Sequence, residues 1–175
     1  GLQLGAKYID AFGIPNLDLQ LEHNRVRPFT YSHRDSVANY THYNQPLAHP
    51  LGANFSEWMA IARYQPAPGW LITGKLIAYT QGRDSSSRSF GSNIFFPNVA
   101  PFRSGDFGYE NGSGWKTKVF YASLHASYEV RENLFLDMSA VIRKQDTKTA
   151  PIVSNNTSVI SLGMRWNMFR REFDF

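Results

Sequence analysis

The chain has 175 residues, about the length of one domain, and carries 18 Lys and Arg against 14 Asp and Glu, for a formal charge of +4. Its basic residues do not form the dense clusters of a nucleic-acid-binding face, so no nucleic-acid partner is expected. The chain has no Cys, which excludes disulfides, thiolate metal sites and a Cys nucleophile.

The composition departs from that of an ordinary soluble domain. Mean hydropathy is −0.38, but charged residues make up only 18% of the chain, against about 25% in soluble domains. Aromatic residues are numerous, with 13 Phe, 9 Tyr and 4 Trp. No run approaches the roughly 20 apolar residues of a membrane helix, whereas a membrane β-barrel shows only short segments of alternating polarity. The periodicity of the sequence is therefore the informative test.

Apolar and polar residues alternate with a period of two in about seven segments, which predicts an all-β, antiparallel fold. In chain order, the apolar positions of these segments are Leu2, Leu4, Ala6 and Tyr8; Leu17, Leu19 and Leu21; Trp58, Ala60, Ala62 and Tyr64; Trp70, Ile72, Leu76 and Ala78; Phe120, Ala122, Leu124, Ala126 and Tyr128; Leu134, Leu136, Met138, Ala140 and Ile142; and Ile160, Leu162, Met164, Trp166 and Met168.

The connections between these segments fall into two classes. Residues 13–16, 66–69 and 130–133 are tight turns, and residues 29–54, 82–114 and 147–156 are longer. Strict alternation of short and long connections is typical of outer-membrane barrels, with short periplasmic turns and longer extracellular loops. A soluble lipocalin-like barrel would alternate as well, with its apolar face turned inward.

Three features favour the membrane barrel. Tyr8, Tyr64, Trp70, Tyr128 and Trp166 lie near the predicted turns, and Trp58, Tyr79 and Trp115 near the predicted loops, as in two interfacial aromatic girdles. The chain ends on Phe173, Asp174 and Phe175, which resembles the terminal signal of outer-membrane barrels. The polar positions carry both charges, which suits a water-filled lumen. The predicted lumen-lining residues are Lys7, Asp18, Glu22, Glu57, Arg63, Lys75, His125, Glu129, Asp137, Arg143 and Arg165.

The predicted strand number is odd, whereas single-chain bacterial barrels close with even numbers. An eighth strand within residues 92–99, around Ile94, Phe95 and Phe96, is one solution. The other is that residues 1–175 form a single barrel region that is the C-terminal part of a larger barrel. The start at Gly1, within a strand and without an export signal, favours this fragment interpretation.

Several segments resemble a known family. They are residues 24–33 (NRVRPFTYSH), 43–54 (YNQPLAHPLGAN), 91–98 (GSNIFFPN) and 161–166 (SLGMRW). They resemble the C-terminal region of Bacteroidota outer-membrane proteins similar to the Wzi-type capsule-assembly family, including gliding-motility-associated members. The resemblance covers most of this chain but only the last third of such a protein. It implies a larger barrel at the cell surface that engages exported polysaccharide or surface machinery.

Two sets of residues are candidates for binding. Aromatic and basic residues of the long connections offer stacking faces and positive charge to surface glycans: Tyr31, Arg34, Tyr40, Tyr43, Phe95, Phe96 and Arg103, with Arg27 beside them. Lys116, Lys118 and Lys144 share parity with the lipid-facing positions near the loops. There they would meet the phosphates of lipopolysaccharide.

Catalytic signatures are missing from the sequence. It contains no nucleotide-binding Gly-rich loop, no His-Glu-x-x-His and no Gly-x-Ser-x-Gly. His33, His42 and His49 lie with Asp35 in the first long connection, where hydrogen bonding is favoured over a metal site. His125 lies between Ser123 and Ser127 on one strand face, a weak hydrolase pattern without a visible acid. Neither a catalytic residue, nor a metal, nor a cofactor is predicted.

Two functions remain open at this point. The first is a surface protein that handles or assembles polysaccharide, with lipid, lipopolysaccharide, glycan and other envelope proteins as partners. The second is a passive porin-like channel or a structural subunit of an envelope complex, for which a lumen of mixed charge suffices. An outer-membrane hydrolase is a third, weaker option.

Overall fold

The fold was analysed in a computed structural model that describes residues 1–103, 105–149 and 152–167. These residues form nine strands and two short 3-10 helices, Ala11–Gly13 and Ser36–Ala38. The strands in chain order are β1 (Leu2–Tyr8), β2 (Leu17–Val26), β3 (Thr41–His42), β4 (Gln45–Pro46), β5 (Phe55–Tyr64), β6 (Trp70–Arg83), β7 (Trp115–Arg131), β8 (Leu134–Thr147) and β9 (Val153–Trp166).

Seven of these strands form one antiparallel sheet with the order β1-β2-β5-β6-β7-β8-β9, and β3 pairs with β4 inside a loop. The predicted all-β, antiparallel architecture is confirmed. The sheet is not closed, because the outer edges of β1 and β9 have no strand partner among the residues described. In the same part of the chain, no helix has the length and apolar character needed to cross a membrane.

Two predictions about the connections are wrong. Residues 92–99 form no strand, and Ile94 is buried there with 2% exposure. Residues 153–156, expected in the third long connection, belong to β9, which begins at Val153, paired with Thr147. The polar side chains of Ser154, Asn155 and Asn156 suggest a loop. Pairing with the neighbouring strand β8 uses only their backbone groups, so polar side chains do not prevent it. Long connections therefore remain at residues 27–54, here loop A, and 84–114, here loop B.

The register sorts the side chains onto two faces with opposite character. The apolar face carries Ala6, Leu21, Ala60, Leu76, Ala122 and Ile142 in one row across six strands. The mixed face carries Lys7, Gln20, Ile61, Lys75, Ser123 and Val141 in the adjacent row. Lateral rows of this kind arise because side chains alternate between the faces and paired residues share a face.

The apolar face is exposed. Leu76 is 49% and Leu124 50% exposed, and most other large apolar side chains of this face are exposed too, from 38% at Tyr128 to 79% at Leu162. On β6 its apolar stretch runs from Trp70 to Ala78, about 26 Å at roughly 3.3 Å per residue. Soluble monomers rarely expose so large a continuous apolar surface.

Aromatic side chains border this stretch at the turn end of the sheet, where residues 9–16, 65–69 and 132–133 connect the strands. Trp70 and Tyr128 are directly paired, with ring centroids 4.7 Å apart, and Tyr8, Tyr64 and Trp166 share their face. At the opposite, loop end the apolar face carries Trp58, whose ring stacks on His23 at 4.4 Å.

Tyr79 and Trp115 do not belong to a lipid-side girdle, so this part of the aromatic prediction is wrong. Both lie on the mixed face, opposite Val119 and Arg83 respectively. Both residues are at the loop end of their strands, but Tyr79 has the opposite parity to Ala78 and Trp115 the opposite parity to Lys116, so neither lies on the apolar face. The C-terminal Phe173, Asp174 and Phe175, and Met168, lie outside the described residues.

Candidate functional site: a loop cap on the mixed face

Most of the buried residues lie at the loop end of the mixed face. One row across five strands is buried, each residue at 7% exposure or less: Val26, Phe55, Gln81, Thr117 and Thr147. Ala53 and Leu51 of loop A pack against Val26 and Phe55. Loops A and B therefore fold inward over this end of the mixed face and form what we name the loop cap.

Asn54 is the hub of the loop cap. Its side chain is fully buried, and its Nδ2 donates to the carbonyl oxygens of Gly82 (2.7 Å), Phe90 (3.1 Å) and Ser113 (2.9 Å). Its Oδ1 accepts the Gly112 N–H at 2.8 Å. One amide thus joins loop A, the end of β6 and two parts of loop B. The residue has a φ of +60°, a conformation that Asn adopts more readily than most residues.

Two further amides fasten the loops to the sheet. Gln81 Nε2 donates to the Leu51 oxygen (2.6 Å) and to Ser92 Oγ (2.9 Å). Asn111 Nδ2 donates to the carbonyls of Val26 and Phe55, both at 3.0 Å, across the last residue pair of β2 and β5. Buried backbone groups at a strand end require such partners because water cannot reach them.

Asp84 shapes loop B from within. Its Oδ1 accepts the N–H groups of Phe90 and Ser92, and its Oδ2 accepts the Asn93 N–H at 2.7 Å. Three backbone N–H groups of loop B thus bind the Asp84 carboxylate through charge-assisted hydrogen bonds. Both oxygens of Asp84 are therefore occupied by the loop.

Loop A and loop B meet at Gly91, where a side chain has no room. A Cβ there would lie 2.3 Å from the Phe29 nitrogen and 2.5 Å from its ring, and Gly91 has a φ of +73°. The Phe29 N–H donates to the Gly91 oxygen at 3.1 Å. This close approach holds the two loops together.

We expect Gly91→Ala to cost about 2 kcal/mol more than Gly13→Ala, since overpacking adds to the backbone strain. Gly13 is the matched control, because its φ of +75° is almost the same while a Cβ there meets nothing within 4 Å. Urea unfolding and limited proteolysis of loops A and B measure the difference. Equal stability of the two variants would show that the contact with Phe29 does not hold the loops.

A buried carboxylate lies beneath loop A. Glu57, 6% exposed, accepts from Asn24 Nδ2 at 3.0 Å and contacts His49 Nε2 at 3.1 Å. The His49 ring also lies 4.5 Å from the Phe55 ring. Glu57 was predicted to line a lumen, and it does lie on the mixed face, but loop A covers it.

All eleven predicted lumen-lining residues share the mixed face: Lys7, Asp18, Glu22, Glu57, Arg63, Lys75, His125, Glu129, Asp137, Arg143 and Arg165. Lys7 Nζ pairs with Asp18 Oδ2 at 3.0 Å, and Arg165 Nε with Asp137 Oδ2 at 3.0 Å. Arg143 instead donates to Gln145 Oε1. That this face lines a lumen stays a prediction.

The predicted glycan-binding residues are spread over the loop cap. Tyr31 and Tyr40 lie together, with ring centroids 5.9 Å apart, whereas Tyr43 is 87% exposed beside His42. Phe95 is half exposed, and Phe96 packs edge-on against Phe102. Arg34 is exposed.

Arg103 stabilises the fold of loop B and its contact with loop A. Its guanidinium lies 4.2 Å from the centre of the Phe29 ring and donates to Asn98 Oδ1 (2.7 Å) and to the Gly105 oxygen (2.8 Å). These contacts occupy the group that was expected to attract acidic glycans. Its role as a glycan ligand stays a prediction, whereas these contacts give it a structural role in loop B.

The described residues do not form the arrangement that a hydrolase or a metal site would need. Register brings an acid near His125, whose Nε2 lies 3.9 Å from Asp137 Oδ1, but Arg165 contacts both oxygens of that carboxylate. His33 accepts the Asp35 N–H, and His42 and His49 make the separate contacts given above. Within residues 1–103, 105–149 and 152–167, no three His, Cys, Asp or Glu are grouped as metal ligands.

Lys116, Lys118 and Lys144 lie on the apolar face at its loop end, opposite Gly82, Thr80 and Phe120 respectively. Lys118 is also paired with Asp146, so the row is not purely basic. Their contact with lipopolysaccharide stays a prediction.

A cleft of about 580 Å³ opens between loop A, loop B and the mixed face of β6. Tyr79, Gln81 and Arg83 of β6 form one side of it, and Pro50 of loop A and Phe96 of loop B are among the residues on the others. No family model, curated protein or solved structure matches this chain. Function must therefore be argued from the site.

Sequence reasoning missed the residues that build the cap and the cleft. The contacts that build them are hydrogen bonds from side chains to backbone groups elsewhere in the chain, and no local sequence pattern predicts such contacts. The side chains are those of Asn54, Gln81, Asp84 and Asn111. The available signal was Asn54 itself, two residues after Gly52 and directly before the apolar strand start at Phe55, since Gly and Asn supply positive φ at tight bends.

Proposed function

We propose that this sheet is part of the wall of an outer-membrane β-barrel whose loop cap engages surface polysaccharide. The observation that carries the proposal is the contrast between the faces, an exposed apolar face about 26 Å tall along the strands and a charged face closed at one end by folded loops. The resemblance of the loop segments to the Wzi-type capsule-assembly family supports a role in the assembly of surface polysaccharide.

Lipid is the environment that an exposed apolar band of this height requires. The stretch is about 26 Å long along the strand, and a strand tilt of roughly 40° reduces its height to about 20 Å, against about 25 Å for the apolar band of outer-membrane barrels. Paired Trp70 and Tyr128 at one border fit an interfacial belt. A groove of about 720 Å³, lined mostly by Ala, Leu and Gly of the apolar face, offers acyl chains an uneven surface to pack against.

The two free sheet edges fit the same proposal. β9 exposes both faces and its outer backbone edge over 14 residues. A long uncovered edge is a site of unwanted pairing in an isolated sheet, and barrel closure removes it. Further strands between β9 and β1 would complete the wall.

The tryptophans allow a direct test in which one residue serves as the control. In single-Trp variants, lipids brominated along their acyl chains should quench Trp58, Trp70 and Trp166, which lie on the apolar face. Trp115 lies on the mixed face and should keep its emission. The measurement uses the full chain reconstituted in lipid vesicles.

Quenching of Trp115 to the same degree as Trp70 would contradict the proposed sidedness. No quenching of any Trp would place the apolar face away from lipid, as in the lipocalin-like alternative. Quenching strongest for Trp58, Trp70 and Trp166 supports the membrane wall.

A passive channel is the second candidate, supported by the mixed charges that remain exposed on the mixed face, such as Arg63. The loop cap makes it the weaker candidate, because loops A and B bury one end of that face. Conductance in planar bilayers without any glycan binding would favour the channel.

A further inference from the structure

The cleft between the two loops contains one charged group that the protein does not use. Arg83 is exposed at the end of β6, and its guanidinium has no hydrogen bond or ion pair in the part of the chain that the structure describes. Both oxygens of Asp84, the other charged residue of the cleft, already accept backbone N–H groups, from Phe90, Ser92 and Asn93. The Arg83 guanidinium is therefore the charged group of the cleft that is available to a ligand.

The other walls favour a ligand with many hydroxyl groups. Tyr79 and Gln81 lie on the same strand face as Arg83 at successive alternate positions, about 7 Å apart. Ser86 and Asn93 face them from loop B, and Phe96 adds a partly exposed ring. A cavity of about 580 Å³ is large for a simple inorganic anion and suits one or two sugar rings.

We propose that this cleft binds an acidic sugar unit, with Arg83 pairing with its carboxylate and Tyr79 and Phe96 contacting the ring and its hydroxyls. The planar guanidinium matches a carboxylate through two parallel N–H donors. This inference rests on the proposed glycan-binding function and deepens it, because it moves the binding site from the loop tips to the cleft at their base.

The rigidity of the cleft supports the assignment. Gln81 is fixed by its bonds to Leu51 and Ser92, and Asp84 fixes the backbone of residues 90–93. A site whose walls are held before the ligand arrives loses less entropy on binding. By contrast, Tyr43 of loop A is 87% exposed.

The test measures binding of trigalacturonate and of neutral maltotriose to the full chain by calorimetry. We expect trigalacturonate to bind and Arg83→Gln to weaken it tenfold or more, the loss of a charge-assisted pair. Arg83→Lys should recover only part of the affinity, since it restores the charge without the two-pronged geometry. Tyr79→Phe should weaken binding less than Arg83→Gln does.

Arg34→Gln is the matched control, because Arg34 is exposed in loop A and does not line the cleft. If Arg34→Gln weakened trigalacturonate binding and Arg83→Gln did not, the proposed binding site in the cleft would be wrong, and glycan binding would be assigned to the loop tips. No binding of trigalacturonate to the unaltered chain would also overturn the proposed site. Neither result affects the membrane wall, which the tryptophan quenching tests separately.

Discussion

Asn54→Asp is expected to detach both loops from the sheet and to lower the free energy of unfolding by about 3–5 kcal/mol. The substitution keeps the shape and the acceptor Oδ1 but removes the Nδ2 donor from three carbonyl oxygens. A carboxylate in that fully buried position would face the Gly82, Phe90 and Ser113 oxygens without a donor between them. Electrostatic repulsion and desolvation then act in the same direction.

Two companion variants separate the side chain from the backbone. Asn54→Gly keeps the positive φ of +60° and removes the side chain with its hydrogen bonds, but it buries no charge, so we expect a smaller cost of about 2–3 kcal/mol. Asn44→Gly is the control, since Asn44 is exposed with a φ of +57°. It should leave stability within about 0.5 kcal/mol.

Urea unfolding in detergent micelles gives the stability, and limited proteolysis reports on loops A and B. Rapid cleavage of both loops in Asn54→Asp, with the sheet still protected, is the expected pattern. If Asn54→Asp and Asn44→Gly behaved alike, the loop cap would not depend on Asn54. The same proteins, loaded with trigalacturonate, would show whether an intact cap is needed for the cleft.

Much of the sheet was predictable because it depends on local alternation. A period of two survives along β7 from Phe120 to Tyr128, and it assigns a face to each residue without any tertiary information. The same parity placed the charged residues such as Asp137 and Arg165 on one face. Where parity was neglected, as for Tyr79, the prediction failed.

The loop cap and the edges were not predictable in this way. The start of β9 at Val153 depends on backbone pairing with Thr147, which polar side chains neither favour nor forbid. The cap depends on Asn54 and Asn111, which reach carbonyls 28 to 85 residues away in the chain. Such contacts form only after the strands have brought the loop ends together.

Leu124→Arg tests which face meets lipid, and we expect it to cost about 2–4 kcal/mol of stability in bilayers. Leu124 lies at the middle of the apolar stretch of β7, between Phe120 and Tyr128, and is 50% exposed. In lipid the guanidinium loses its hydration, and the midplane is too far from either surface for the side chain to reach water fully. Equilibrium unfolding from lipid vesicles measures the change.

Ser123→Arg is the matched control, one residue away on the same strand and on the mixed face between Lys75 and Val141. Against a wet, charged face it should cost less than about 1 kcal/mol, since the new charge stays hydrated. The reverse order, with Ser123→Arg the more damaging, would mean that the mixed face is packed and the apolar face open to water. The large cost of Leu124→Arg beside the small cost of Ser123→Arg is the result that a barrel wall requires, because only lipid penalises a charge on an exposed face.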